Sequence, residues 1–169
     1  MIHRFEQSGD DHLAAMFEGR KFNHAREGTY EYHEVTIRQP DGSVKYLDDY
    51  TPGEAVVSRK TTQFADVTED RARAIIREFA HKHPTQNPDF TIADTPANRA
   101  AFSSAPHLVG TPLDGSMILE VPVQTRAVPP SVREYAAARG VVIHDTSGTV
   151  LNQAELDAHV TDVFGSDFE

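Results

Sequence analysis

Two closely spaced turn signals limit what this chain can fold into more than any other feature. The first is Gln39-Pro40-Asp41-Gly42 and the second is Thr51-Pro52-Gly53. In each, proline presets φ for a tight turn and glycine supplies a backbone conformation that other residues resist. The segments between and beside them alternate residue by residue in the manner of strands. Thr29 to Arg38 mixes aromatic, polar and β-branched residues, and residues 43 to 63 read as two further strands joined at the second turn. Three strands linked by two tight turns must lie antiparallel, so the sequence predicts a three-stranded meander.

The alternation also sorts side chains by face. In the second strand Val44, Tyr46 and Asp48 fall on one side and Lys45, Leu47 and Asp49 on the other. In the third, Glu54, Val56, Ser58 and Lys60 alternate with Ala55, Val57 and Arg59. A carboxylate and a lysine therefore meet on neighbouring strands. The acid can hold a hard cation and the ammonium can neutralise developing negative charge, which is the chemistry a phosphodiester requires. The same pair also fits a turn-stabilising acid beside a solvated charge.

At 169 residues the chain fits a single domain, 1–169, with enough length to bury a core without staples. It has no cysteine, so any metal must be bound through oxygen or imidazole, and neither an oxidising nor a reducing compartment is ruled out. The start, Met1-Ile2-His3-Arg4-Phe5-Glu6, lacks the apolar run of a signal peptide, and no segment has the length of a membrane span. The net charge of −10 opposes broad, non-specific adhesion to nucleic acid while leaving room for a local basic stripe.

Before the meander, Ser8-Gly-Asp-Asp11 followed by Leu13, Met16 and Phe17 predicts a helix to about His24. After it, Asp66-Val-Thr-Glu69 reads as a capping box for a helix ending near His83, with Ala72, Ile75, Ile76 and Phe79 as its apolar stripe. Its other face carries Arg71, Arg73, Arg77 and Lys82, the densest basic patch in the chain. The C-terminal position of His81 and His83 favours dipole-stabilised charge over metal binding. Residues 84 to 115 read as a long loop with a strand-like Phe90–Ala93 and a helical turn from Pro96 to Phe102. Ser116 to Gln124 is a strand that Pro122 marks as an edge or a bulge. A capping box at Ser131 opens a helix closed by Gly140, residues 141–144 and 149–151 predict a hairpin, and Asn152 with Glu155 caps a last helix.

Helix, three-stranded meander, helix and strand is the core order of the restriction-endonuclease-like, or PD-(D/E)xK, nuclease superfamily. The chain resembles that superfamily over about residues 10–125, with 126–169 as a C-terminal helix, hairpin and helix. The resemblance makes the fold class α/β (α+β) and locates a site. Asp48 closes the second strand, Ser58-Arg59-Lys60 stands where the family has acid-x-Lys, and Gln63 follows three residues later. Ser58 replaces the family's acid, so the resemblance implies that a carboxylate comes from elsewhere. The candidates are Glu54, Asp49, Glu18 and, on the first strand, Glu31 and Glu34. The implied cofactor is Mg²⁺ or Mn²⁺, bound by Asp48, Asp49, Glu54 and Glu18, and the implied substrate is DNA or RNA.

Tyr50-Thr-Pro-Gly-Glu54 and Val121-Pro-Val-Gln124 also look like parts of C-terminal domains of bacterial polymorphic toxins. That likeness implies a secreted effector acting in a target-cell cytoplasm, or a cytoplasmic protein, with an immunity protein as partner and no membrane association. Two alternatives stand beside the nuclease: a catalytically inactive module on the same scaffold that binds protein or nucleic acid, and an NAD-consuming toxin domain. His144-Asp145 could orient an imidazole, but Ser116 and Ser147 lack a nucleophile-elbow context, and Gly110-Thr-Pro-Leu-Asp-Gly115 is not a phosphate loop.

Overall fold

The computed structural model describes residues 29–164. The first helix expected from the sequence, and Glu18 on it, lie outside the described residues. The meander forms as expected: β1 (Tyr32–Arg38), β2 (Val44–Thr51) and β3 (Glu54–Arg59) pair antiparallel in sequence order. A short 3₁₀ turn (Phe64–Asp66) leads to α1 (Glu69–Lys82), then β4 (Thr91–Ile92), α2 (Pro96–Ala101), a second 3₁₀ turn (Pro106–Leu108), β5 (Gly115–Val121), α3 (Pro130–Ala138), β6 (Val141–Asp145) and α4 (Gln153–Phe164). The result is a mixed α+β architecture on a six-stranded sheet of order β4-β1-β2-β3-β5-β6.

The sheet changes character at β3. Its pairing with β5, and that of β5 with β6, is parallel, each return made through a helix. Right-handed crossovers in one direction put both connecting helices on the same face. Accordingly α1 packs on α3, and α3 packs on β6 and α4. Ile75, Ile76 and Phe79 of α1, with Val132 and Ala136 of α3, join Val56, Leu119, Val121 and Ile143 in one buried cluster. Each such Val, Leu, Ile or Phe side chain contributes about 1.5–3 kcal/mol by leaving water. The close approach of β3 and β5 depends on Gly115, whose φ is +142° and where a Cβ would lie 2.7 Å from the Ala55 nitrogen and the Glu54 carbonyl carbon.

Several local expectations are corrected. Thr68, not Asp66, caps α1 by accepting the Arg71 N–H, so the helix begins two residues later than the capping box implied. Pro122 follows the end of β5, and β5 is an interior strand, so the proline marks neither an edge nor a bulge. α3 starts with proline at its first position and no side-chain cap, so Ser131 caps nothing. The C-terminal hairpin forms as a short return around the Asp145–Gly148 turn: His144 bridges Val150 antiparallel, the Asp145 N–H donates to the Thr149 carbonyl and the Leu151 N–H to that of Ile143, while the other edge of β6 pairs in parallel with β5, a partner not expected from the sequence. Asn152 is wholly buried and spends its carboxamide on Ile143 N–H and Val141 C=O, fastening the return segment to β6. Much of the loop from 84 to 114 is ordered by such links: buried Asn98 binds both the N–H and the C=O of Thr36, and the Ala93 carbonyl.

Candidate functional site

Where β3 leaves β2 for β5, the sheet opens. The β2–β3 register runs from Thr51 opposite Ala55 to Asp49 opposite Val57. Beyond it, Asp48 Oδ2 accepts the Arg59 N–H at 2.7 Å, a side chain standing in for a ladder carbonyl, while the Lys60 N–H donates to Glu120 C=O at 3.0 Å. The gap beneath α1 is a cleft of about 270 Å³ lined by Tyr46, Asp48, Ser58, Lys60, Glu78 and His83 among others. The structure thus brings Asp48, Ser58 and Lys60 together, as the strand phase predicted.

Sequence reasoning missed Glu78. It belongs to α1, one turn before the helix ends, and reads there as part of an exposed face. Its carboxyl is held below the ordinary carboxylate range, chiefly by a hydrogen bond from Lys82 Nζ, which burial opposes, and further by the weaker pull of the positive charges of Lys82, Lys60 and Arg71. It is therefore ionised at neutral pH, and the Lys60 ammonium is near enough to contribute. The signal that could have found it is helical phase: Glu78 neighbours the buried Ile75 and Phe79, which line the same cleft.

His83 forms the C-cap of α1 and is only 4% exposed. Burial, helped by the charge of Lys82 and then of Lys60, pushes its pKa down to about 4, and a hydrogen bond to the Tyr46 backbone only partly offsets this. The imidazole is neutral at pH 7, contrary to the dipole-stabilised charge expected from its position, because desolvation outweighs the helix terminus. Among the described residues its Nδ1 has no hydrogen-bond partner.

The other residues predicted for the site go elsewhere. Asp49 points to the opposite face, where it pairs with Arg59 and its carboxylate accepts from His33 Nδ1 at 2.8 Å. Engaged by a guanidinium and buried, it is not a free metal ligand. Glu54 is exposed at the far end of β3, opposite Gly115 and about 20 Å along the strand from Lys60. The Gln63 carboxamide donates to Val123 C=O at 3.1 Å and accepts Thr125 N–H at 2.9 Å, so it ties two loops together instead of lining the cleft. The Ser147 hydroxyl donates to Asp145 Oδ1 at 2.5 Å as a turn brace, and His144 Nδ1 contacts the Asp145 carbonyl, which leaves no serine–histidine dyad.

Behind the cleft lies a buried row of polar groups that no sequence motif announced. Register alignment carries it across the sheet: His33 on β1 opposite Asp49 on β2, Arg59 on β3 opposite Glu120 on β5, and Glu120 opposite His144 on β6. Arg59 Nε donates to Glu120 Oε1 at 2.9 Å, and the Tyr30 hydroxyl donates to Glu120 Oε2 at 2.7 Å and lies 3.2 Å from His144 Nε2. The side chains of Arg59 and Glu120 are completely buried.

Among the described residues there is no group of three or more His, Asp or Glu side chains that could hold a metal ion, and no helix is long and apolar enough to cross a membrane. No protein-family model, no curated protein and no solved structure significantly matches the chain.

Proposed function

We propose that the protein is a metal-dependent phosphodiesterase acting on nucleic acid, built on a restriction-endonuclease-like core and of the bacterial toxin kind. The observation that carries this reading is one cleft lined by two carboxylates, Asp48 and Glu78, and by the ammonium of Lys60, which forms no ion pair among the described residues. The antiparallel β1–β2–β3 run followed by a helix and a parallel strand supports the core assignment. Glu78 would supply the acid that Ser58 lacks.

The donor set fits Mg²⁺, which takes one or two carboxylates and completes its shell with water and substrate oxygens, better than it fits an ion needing an all-protein cage. Asp48 and Glu78 would hold the ion, with the Ser58 hydroxyl beside them. When bound, such an ion supplies charge neutralisation and a water of lowered pKa. The chain's own residues do the rest. The Arg59 N–H fixes one oxygen of Asp48, and Oδ1 carries no hydrogen bond among the described residues. Lys60 donates to a non-bridging phosphate oxygen and offsets the charge that develops there. Lys82, already on Glu78, keeps that carboxyl ionised. The immunity protein, secretion and target-cell action belong to the same proposal and rest on the toxin likeness alone.

Purified protein incubated with DNA and with RNA in Mg²⁺ or Mn²⁺ tests it, beside Asp48→Asn, Lys60→Ala and Glu78→Gln. The expected result is cleavage by the parent and losses of about 10²–10³-fold for each variant, the range for removing one pre-positioned charge-stabilising group. Absence of cleavage, or equal rates in all four proteins, overturns the proposal. Ser58, standing where the family has an acid, favours a second reading, an inactive binding module, for which unchanged melting with and without Mg²⁺ is the expected behaviour.

A further inference from the structure

Tyr46 is 73% exposed although it sits on a central strand and lines the cleft two residues from Asp48. Single exposed apolar residues on a surface need no explanation. This ring differs in three respects. It stands on the same side of β2 as Val44, itself 42% exposed, and Asp48, so apolar surface leads up to the carboxylate along one strand. Its backbone is anchored by the buried His83, which makes the support rigid. Directly across from Val44 in the register is Arg38, exposed and without an ion pair among the described residues.

From Val44 to Asp48 is about 13 Å of strand. Arg38, Tyr46 and Lys60 thus mark a track with a cation near one end, an aromatic face in the middle, and a cation beside two carboxylates at the other. The charge balance decides what can lie on it. Duplex binders neutralise many phosphates at once, typically six to ten. This cleft offers Lys60 and a Lys82 already paired with Glu78, on a protein of net charge −10. A strand whose bases are unpaired needs less charge, because base–aromatic stacking supplies affinity that a duplex, with its bases turned inward, cannot collect.

Resting on the phosphodiesterase reading, we infer that the substrate is single-stranded nucleic acid, held with one base stacked on Tyr46 while the neighbouring phosphate enters between Asp48, Glu78 and Lys60. The chemistry recognised is an unpaired nucleobase followed by a phosphodiester, and it is common to DNA and RNA.

The test separates binding from cleavage. Fluorescence anisotropy in EDTA, with a labelled 12-mer as single-stranded DNA, as RNA and as duplex DNA, is run on the parent, Tyr46→Phe and Tyr46→Ala. Single strands bind more tightly than duplex. Tyr46→Ala weakens that binding about 5- to 150-fold, while Tyr46→Phe, which keeps the ring, stays within about 3-fold. The stronger of the DNA and RNA arms identifies the sugar. Duplex binding as tight as single-strand binding, or a Tyr46→Ala protein that binds like the parent, overturns the inference. Because no metal is present, Tyr46-dependent binding can appear even if the protein never cleaves, which removes only the hydrolytic reading. Cleavage of duplex that is unaffected by Tyr46→Ala keeps hydrolysis and removes the single strand. Tyr46 is mostly in water, so either variant is expected to melt with the parent, and equal melting curves exclude misfolding as the cause.

Discussion

Acidification should weaken this fold through one imidazole. His83 has an ordinary pKa near 6.5 when unfolded and about 4 when folded, because burial at the end of α1 and the charges of Lys82 and Lys60 disfavour its protonated form. Above pH 6.5 neither state binds the proton and the group has no effect on stability. Below it, the unfolded chain takes up a proton that the folded one refuses, so stability falls as pH falls, by 1.36 kcal/mol for each unit, until the folded pKa is reached. The whole window corresponds to about 3 kcal/mol. The part from pH 6.5 to 5, above the carboxylate range, corresponds to about 2 kcal/mol. For a chain of this size that is a fall in Tm of about 4–8 °C. The assay is thermal melting from pH 7.5 to 4.5 on the parent and on His83→Gln, which cannot titrate. The variant is less stable at neutral pH, since it changes a buried side chain, but its Tm declines less steeply between pH 6.5 and 5. Parallel curves for the two proteins would refute the reasoning, because they would show that His83 takes up its proton equally in both states.

Two further substitutions probe the sheet. Arg59→Met removes the guanidinium between Asp49 and Glu120 and leaves two buried carboxylates without it, at an expected loss of about 3–5 kcal/mol in urea unfolding. Lys60→Met, one residue on and exposed, should change stability by less than about 0.5 kcal/mol, so similar midpoints for the two would contradict the buried-row description. Gly115→Ala drives a methyl into the backbone of Glu54 and Ala55 and should cost more than about 2 kcal/mol, whereas Gly148→Ala meets no atom within 4 Å and pays only for its positive φ, about 1 kcal/mol. Equal destabilisation of the two glycine variants, read by urea unfolding, would show that the β3–β5 approach is not tight.

The meander was legible because its signals are local: two Pro-Gly turns and a period of two fix three strands and the phase that puts Asp48, Ser58 and Lys60 at one opening. What the sequence could not show was long-range. β6 reads as half of a hairpin, and the return through 149–151 is there, but its other edge pairs in parallel with β5, a partner selected by the crossover through α3. Glu78 reads as solvent-facing because a helix wheel cannot say that the strand beneath ends short of it. Glu54 and Asp49 were plausible acids by type and failed by position, the first because a strand has two ends and the second because adjacent residues point to opposite faces. Gln63 was chosen for its spacing from Lys60, yet the loop after β5 claims both ends of its carboxamide. His83 shows local reasoning overruled by burial.

Arg59 sends its amide to one side of the sheet and its guanidinium to the other. The aspartate that faces solvent on one side is therefore held by a peptide whose own side chain is locked among ions on the reverse. A mutational survey of this protein scored only by turnover would find Asp49 and Glu120 behaving as though they took part in the reaction, although neither lies within the opening. Their influence would be mechanical, passed through the thickness of one strand, and a survey that also recorded abundance would tell the two kinds of loss apart.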